Sequence, residues 1–89
     1  MKSIHEYILD DKDIDLQSFY LPVGADVIAI QKSSKGLILS VLGPLTATSK
    51  AIRSFKVCKA NETIYYDNVK YIGSYESELG ICYVIEVII

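Results

Sequence analysis

Ile81-Cys82-Tyr83-Val84-Ile85-Glu86-Val87-Ile88-Ile89 is the longest apolar run in the chain, interrupted only by Glu86. A membrane-spanning helix needs about 20 apolar residues, so this run is too short to span and reads as a β-strand. Both of its faces are apolar, the pattern of a strand covered on two sides rather than half-exposed. Left at an open edge it would template aggregation. Two placements relieve it: the middle of a sheet within the monomer, or a homo-oligomer interface built on residues 81–89. A chain of 89 residues has few layers with which to cover two faces, which keeps the second placement open.

Outward from this run, short alternating or apolar stretches recur about every ten residues between turn signals, the mark of an antiparallel all-β chain. Residues 3–9 place Ile4, Glu6 and Ile8 on one face and His5, Tyr7 and Leu9 on the other. The aspartates at 10, 11 and 13 supply a turn, and residues 15–21 form a second extended run ended by Pro22, which cannot donate to a ladder. Strands over residues 27–31 and 37–42 flank the polar hairpin loop 32–36. Residues 45–50 read as a loop or a short helical turn. A strand over 52–58 sets Arg53, Phe55 and Val57 on one side; residues 69–75 and 81–89 complete the series around a turn at 76–80. No window holds a helical apolar period over three turns. The expectation is one all-β domain over residues 1–89: a small antiparallel sandwich or barrel of about seven strands joined by meander-like hairpins.

Composition agrees and narrows function. The chain is 51% hydrophobic and 22% charged, with eleven acidic against nine basic residues. That opposes intrinsic disorder and gives no field to steer nucleic acid or an anionic membrane. Met1-Lys2 is followed by Ser3, His5, Glu6 and Asp10, with no apolar leader segment, so an intracellular setting is expected. Cys58 and Cys82 each lie in a strand-like stretch and are expected as buried thiols. Neither has the short-spaced Cys or His partner that zinc requires.

Catalysis finds little to stand on. His5 is the one histidine, and no serine sits in a nucleophile elbow or an S-x-x-K setting. No glycine-rich phosphate loop is present. Asp11-x-Asp13-x-Asp15 begins like a calcium loop, but the sixth and twelfth positions hold Leu16 and Pro22 instead of Gly and Glu. The chain is therefore expected to be no enzyme and to need no metal or cofactor. The remaining signal is aromatic: Tyr65, Tyr66, Tyr71 and Tyr75 crowd one stretch beside Lys56, Lys59 and Lys70. Tyrosine suits recognition surfaces because it is amphipathic and loses little entropy on binding. Tyr71 and Tyr75, with Gly73 between them, are expected to share a strand face with room for a flat ligand or a partner side chain. Arg53, Lys56, Tyr65, Tyr66, Lys70, Tyr71 and Tyr75 are the candidate partner- or ligand-binding residues.

The order of these turns and strands resembles a family of small accessory proteins encoded by tailed bacteriophages. The likeness rests on Ile4 and Tyr7 in the first strand and on L-P-V-G-A-D-V-I-A-I-Q at residues 21–31. It continues through Arg53 and Phe55, Tyr-Ile-Gly-Ser at 71–74 and Val84 to Glu86. Residues 45–50 and the glycine-free connection 59–68 depart from the family pattern. The resemblance implies an all-β phage protein in the cytoplasm of the infected bacterium and brings no catalytic residues. It favours a binder that inhibits a bacterial host or defence protein. An oligomeric sponge for a nucleotide immune signal is the alternative, with Arg53 or lysines on phosphate and a tyrosine on the base. A minor structural role in the virion is a third.

Overall fold

The computed structural model describes residues 1–46 and 49–88. Seven strands follow in order: β1 (Lys2–Leu9), β2 (Gln17–Pro22), β3 (Asp26–Ser33), β4 (Gly36–Pro44), β5 (Lys50–Lys59), β6 (Val69–Ser77) and β7 (Gly80–Val87). All pairings are antiparallel. They form two sheets, β1-β4-β3 and β2-β5-β7-β6, packed as a sandwich and not closed into a barrel. Of the segment 45–50, Ala47 and Thr48 lie outside the described residues, as does Ile89 at the end of the last run.

Alternation builds the interior. On β1 the His5, Tyr7, Leu9 face turns inward and the Ile4, Glu6, Ile8 face outward, as the period of two requires. On β5, Phe55 and Val57 enter the core. Leu9, Leu21, Leu37, Leu39, Val41, Phe55 and Val84 are fully enclosed between the sheets. Tyr7, Phe19 and Phe55 run across the layers with ring centroids 5.6 and 6.3 Å apart, within the range of tilted aromatic pairs.

Two hairpins appear where turn residues called for them, and they share one chemistry. Ser33-Ser34-Lys35-Gly36 joins β3 to β4, and Ser77-Glu78-Leu79-Gly80 joins β6 to β7. In each, the serine hydroxyl donates to the glycine carbonyl (3.1 and 2.9 Å) and accepts from the amide two residues after it (3.2 Å in both). The meander expected elsewhere is not formed. The connections after β1, β2 and β4 cross between sheets, and β6 reaches the sheet edge with β7 inserted between it and β5. The cause is the apolar character of β7: it takes the interior position and leaves the half-polar β6 outside.

β7 is therefore a central strand. Cys82 and Val84 point into the main core. On the other face, Ile85 and Val87 pack with Cys58 beneath Leu16, from the segment before β2, and Ile64, from the β5–β6 connection. Cys58 and Cys82 are free and buried. Cys58 pairs with Tyr83, the neighbour of Cys82, so the two thiols sit on adjacent strands but opposite faces, which rules out a bridge between them.

Candidate functional site

The outer face of the four-stranded sheet carries the largest share of exposed aromatic and aliphatic side chains. Cross-strand register sets Tyr20 opposite Ile52 and builds two rows across β5, β7 and β6: Ser54, Val87 and Val69, and Lys56, Ile85 and Tyr71. Tyr20, Ile52 and Tyr71 are each about 60% exposed, and Val69 is 42% exposed. From the β5–β6 connection, Tyr65 stands almost free of the surface at 88% exposure and Tyr66 is partly covered. Leu16 and Ile64 seal the middle of this face, so the exposed groups surround a covered centre.

Lys56 holds that cover in place. Its Nζ donates to the Ile14 carbonyl at 3.0 Å and to Glu62 Oε2 at 2.8 Å, tying the segment before β2 and the β5–β6 connection to β5. Partial burial disfavours its charge, but the Glu62 hydrogen bond and the nearby Cys58, Glu62 and Tyr66 outweigh that and raise its pKa. The same bond leads the effects that lower Glu62, with the Lys59 amide adding a second donor and burial opposing. Burial pushes the Cys58 thiol up, against the Lys56 charge, which leaves it a poor nucleophile.

The candidate residues divide between two sides of the sheet. Lys56 and Tyr71 share the outer face, with Tyr65 and Tyr66 beside it. Tyr75 does not join them. A bulge between Tyr71 and Gly73 inserts Ile72 as an extra residue, so Tyr71 lies opposite Ile85 on the outer face and Tyr75 opposite Cys82 on the inner. A bulge of this kind reverses the alternation beyond it. The room expected at Gly73 is also taken: a Cβ there would lie 3.0 Å from Ile30 Cγ1 and Cδ1 of β3. Gly73 lets the two sheets approach and opens no slot for a ligand.

Arg53 and Lys70 belong to the inner side. Arg53 forms a two-pronged ion pair with Glu86, Nε to Oε2 at 2.6 Å and Nη2 to Oε1 at 2.7 Å, and Nη1 donates to the Ala25 carbonyl in the β2–β3 connection. The Glu86 hydrogen bond raises its pKa over the opposing effect of burial. These contacts occupy the guanidinium. Lys70 pairs with Glu86 in register and is exposed at the β6 edge.

A cleft of about 540 Å³ opens at the end of the sandwich where the β6–β7 hairpin meets the segment before β2. Val57, Tyr75 and Cys82 form part of its lining, with Lys12, Lys32 and Lys59 among its cations and Asp11, Asp13, Glu62 and Glu78 among its anions. Lys32 pairs with Asp11 and stands 5.8 Å from the Tyr75 ring centroid. Burial, with Cys82 adding, pushes the Tyr75 phenol up to about 12. The aspartates serve the turn: Asp10 and Asp13 side chains accept from the amides of Lys12 and Asp15, both at 2.9 Å. Among the described residues no cluster of three or more His, Cys, Asp or Glu has metal-site geometry. His5 Nε2 lies 3.0 Å from Ser3 Oγ and 3.2 Å from the Pro44 carbonyl, a structural placement.

Sequence reasoning passed over Tyr20, Ile52 and Val69 on the outer face. The signal for Tyr20 was present, since Phe19 and Leu21 turned inward must turn Tyr20 out. The cleft gave no local signal, because its residues come from well-separated segments. No helix of the described residues is long and apolar enough to cross a membrane. The chain is, at the level the fold defines, a small all-β protein. Comparison with protein-family models, curated proteins and solved structures finds no match.

Proposed function

We propose that this protein acts by binding, docking on a bacterial host or defence protein through the outer face of the four-stranded sheet and inhibiting it. The observation that carries this reading is the grouping of Tyr20, Ile52, Val69 and Tyr71 on one rigid sheet face, flanked by Tyr65 and Tyr66. Exposed apolar groupings of this kind mark interaction surfaces, and tyrosine is enriched at their energetic centres. The sequence resemblance to phage accessory proteins supplies the class of partner and the setting, the cytoplasm of the infected bacterium. The immobilised protein should retain one bacterial protein in stoichiometric amount, and Tyr20→Glu or Tyr71→Glu should abolish retention without changing the melting temperature. Retention that survives both substitutions would move the docking surface elsewhere.

A second reading rests on the cleft, where Tyr75 and three lysines surround a volume suited to a small ligand. In it the protein sequesters a nucleotide signal. Four carboxylates share that lining and Arg53 is occupied by Glu86, so the electrostatics favour the docking reading. A nucleotide panel that raises the melting temperature in proportion to ligand concentration would reverse the order.

A further inference from the structure

The four edge strands differ in how they are protected. β2 is six residues long and ends in Pro22, while β3 and β6 are each broken by a bulge. Proline and bulges are the usual devices against unwanted pairing. β1 has neither: its eight residues pair with β4 in unbroken register from Lys2↔Pro44 to Leu9↔Leu37, and among the described residues no strand pairs with its other side. Apolar side chains lie along this open edge, with Ile4 61% and Ile8 47% exposed. They adjoin Leu42 and Ile38, their partners on β4.

The phase of the free main-chain groups follows from one hydrogen bond. The Met1 carbonyl accepts from the Leu45 amide, one step beyond Lys2↔Pro44 in the ladder. In an antiparallel pair, alternate residues direct both main-chain groups to the same neighbour. Odd-numbered residues of β1 therefore bond to β4, and Lys2, Ile4, Glu6 and Ile8 direct their N–H and C=O groups outward. The same even-numbered residues form the outer side-chain face, which reads Lys2, Ile4, Glu6, Ile8.

We propose that β1 pairs with β1 of a second copy of this chain about a two-fold axis at Ile4, merging the two three-stranded sheets into one of six strands. In this register Ile4 faces Ile4 of the second copy, and Lys2 and Glu6 of each copy face Glu6 and Lys2 of the other. All three pairs are of the hydrogen-bonded kind, because the outward main-chain groups belong to these residues. The charges select the register: sliding by two residues sets Ile4 against Glu6, and by four sets Glu6 against Glu6, a repulsive cross-strand pair. The Ile4 and Leu42 side chains of both copies then form one continuous row, covering surface each monomer leaves to solvent. β7 offers no such edge, since it is flanked by β5 and β6.

Sedimentation equilibrium of the full chain should show a monomer–dimer equilibrium. Lys2→Glu or Glu6→Lys should each weaken it about tenfold, the size expected when two cross-strand charge pairs turn repulsive. The doubly swapped Lys2→Glu/Glu6→Lys chain should restore it, because opposite charges again meet. Ile4→Cys should form an interchain disulfide on mild oxidation, since a hydrogen-bonded pair about the axis sets Cα atoms about 5.5 Å apart; Glu6→Cys should not. These positions are exposed, and unchanged circular dichroism and melting of the monomer would verify that each variant folds. A chain that stays monomeric at its solubility limit, a dimer indifferent to both single charge reversals, or cross-linking through Glu6→Cys in place of Ile4→Cys would each overturn the proposal.

Discussion

At Gly73 the absence of a side chain sets the distance between the sheets. A Cβ there would press on Ile30 at 3.0 Å, and the two further methyls of valine would press harder, so Gly73→Val should cost about 1–3 kcal/mol in urea unfolding as an overpacked contact. Most of that cost should vanish in an Ile30→Ala background; equal costs in both backgrounds would show that Ile30 is not what the glycine accommodates. Arg53 is a second residue whose role depends on its contacts. Removing either member of a buried pair strands the other charge, so Arg53→Met or Glu86→Leu alone should cost about 2–3 kcal/mol, below the fully buried case because the Arg53 side chain stays 20% exposed. The double variant should recover most of the loss, and simple additivity would exclude the coupling. Neither role is legible from spacing alone. An arginine within a strand looks like a free phosphate ligand until its carboxylate is found 33 positions away, and one inserted residue, Ile72, sets Tyr71 and Tyr75 on opposite faces without any mark in the composition.

Elements were easier to read than sites because each strand announces itself by local alternation and each hairpin by local turn chemistry. The two Ser-x-x-Gly turns make this testable as a matched pair. Gly36 and Gly80 adopt φ of +130° and +113°, a region that costs other residues about 1–3 kcal/mol. Alanine at Gly80 meets open space and should cost only that strain, whereas alanine at Gly36 would also place its Cβ 2.6 Å from the Leu9 carbonyl. Gly36→Ala should therefore be clearly the worse of the two by melting temperature, and equal losses would mean that the contact with β1 relaxes freely. What alternation could not reveal was connectivity. The order β2-β5-β7-β6 depends on which strands need cover on two faces, and that preference becomes visible only when all the strands compete for the interior at once.

For the whole molecule, the consequence of this competition is a partial third layer. A three-on-four sandwich has one outward face per sheet, and β7 brings Ile85 and Val87 to such a face. A central position in the sheet covers only the edges of β7, and Leu16 and Ile64 cover its outer face from irregular segments, clamped by Lys56 through Ile14 and Glu62. The clamp has a defined pH window. Glu62 is lowered from 4.5 in the fold, so its contribution is complete above that value and is lost as pH falls through the lower folded value; Lys56 is raised from 10.5, so its contribution is complete below 10.5 and is lost as pH rises through the higher folded value. Glu62→Gln should flatten the acid limb of stability against pH, by about 1 kcal/mol or less for a pair this accessible; an unchanged limb would show that the pair does not hold the cover. Ile64→Ser tests the cover itself. Losing its apolar contact with Ile85 and Val87 should cost about 1–2 kcal/mol, increase binding of a hydrophobic dye and promote association through the uncovered sheet face. If a second subunit covered this face in solution, the same substitution would change the association state of the folded protein while leaving dye binding low. The outcome therefore distinguishes cover by the chain's own connections from cover by another copy, the two alternatives that an apolar strand at the end of an 89-residue sequence poses.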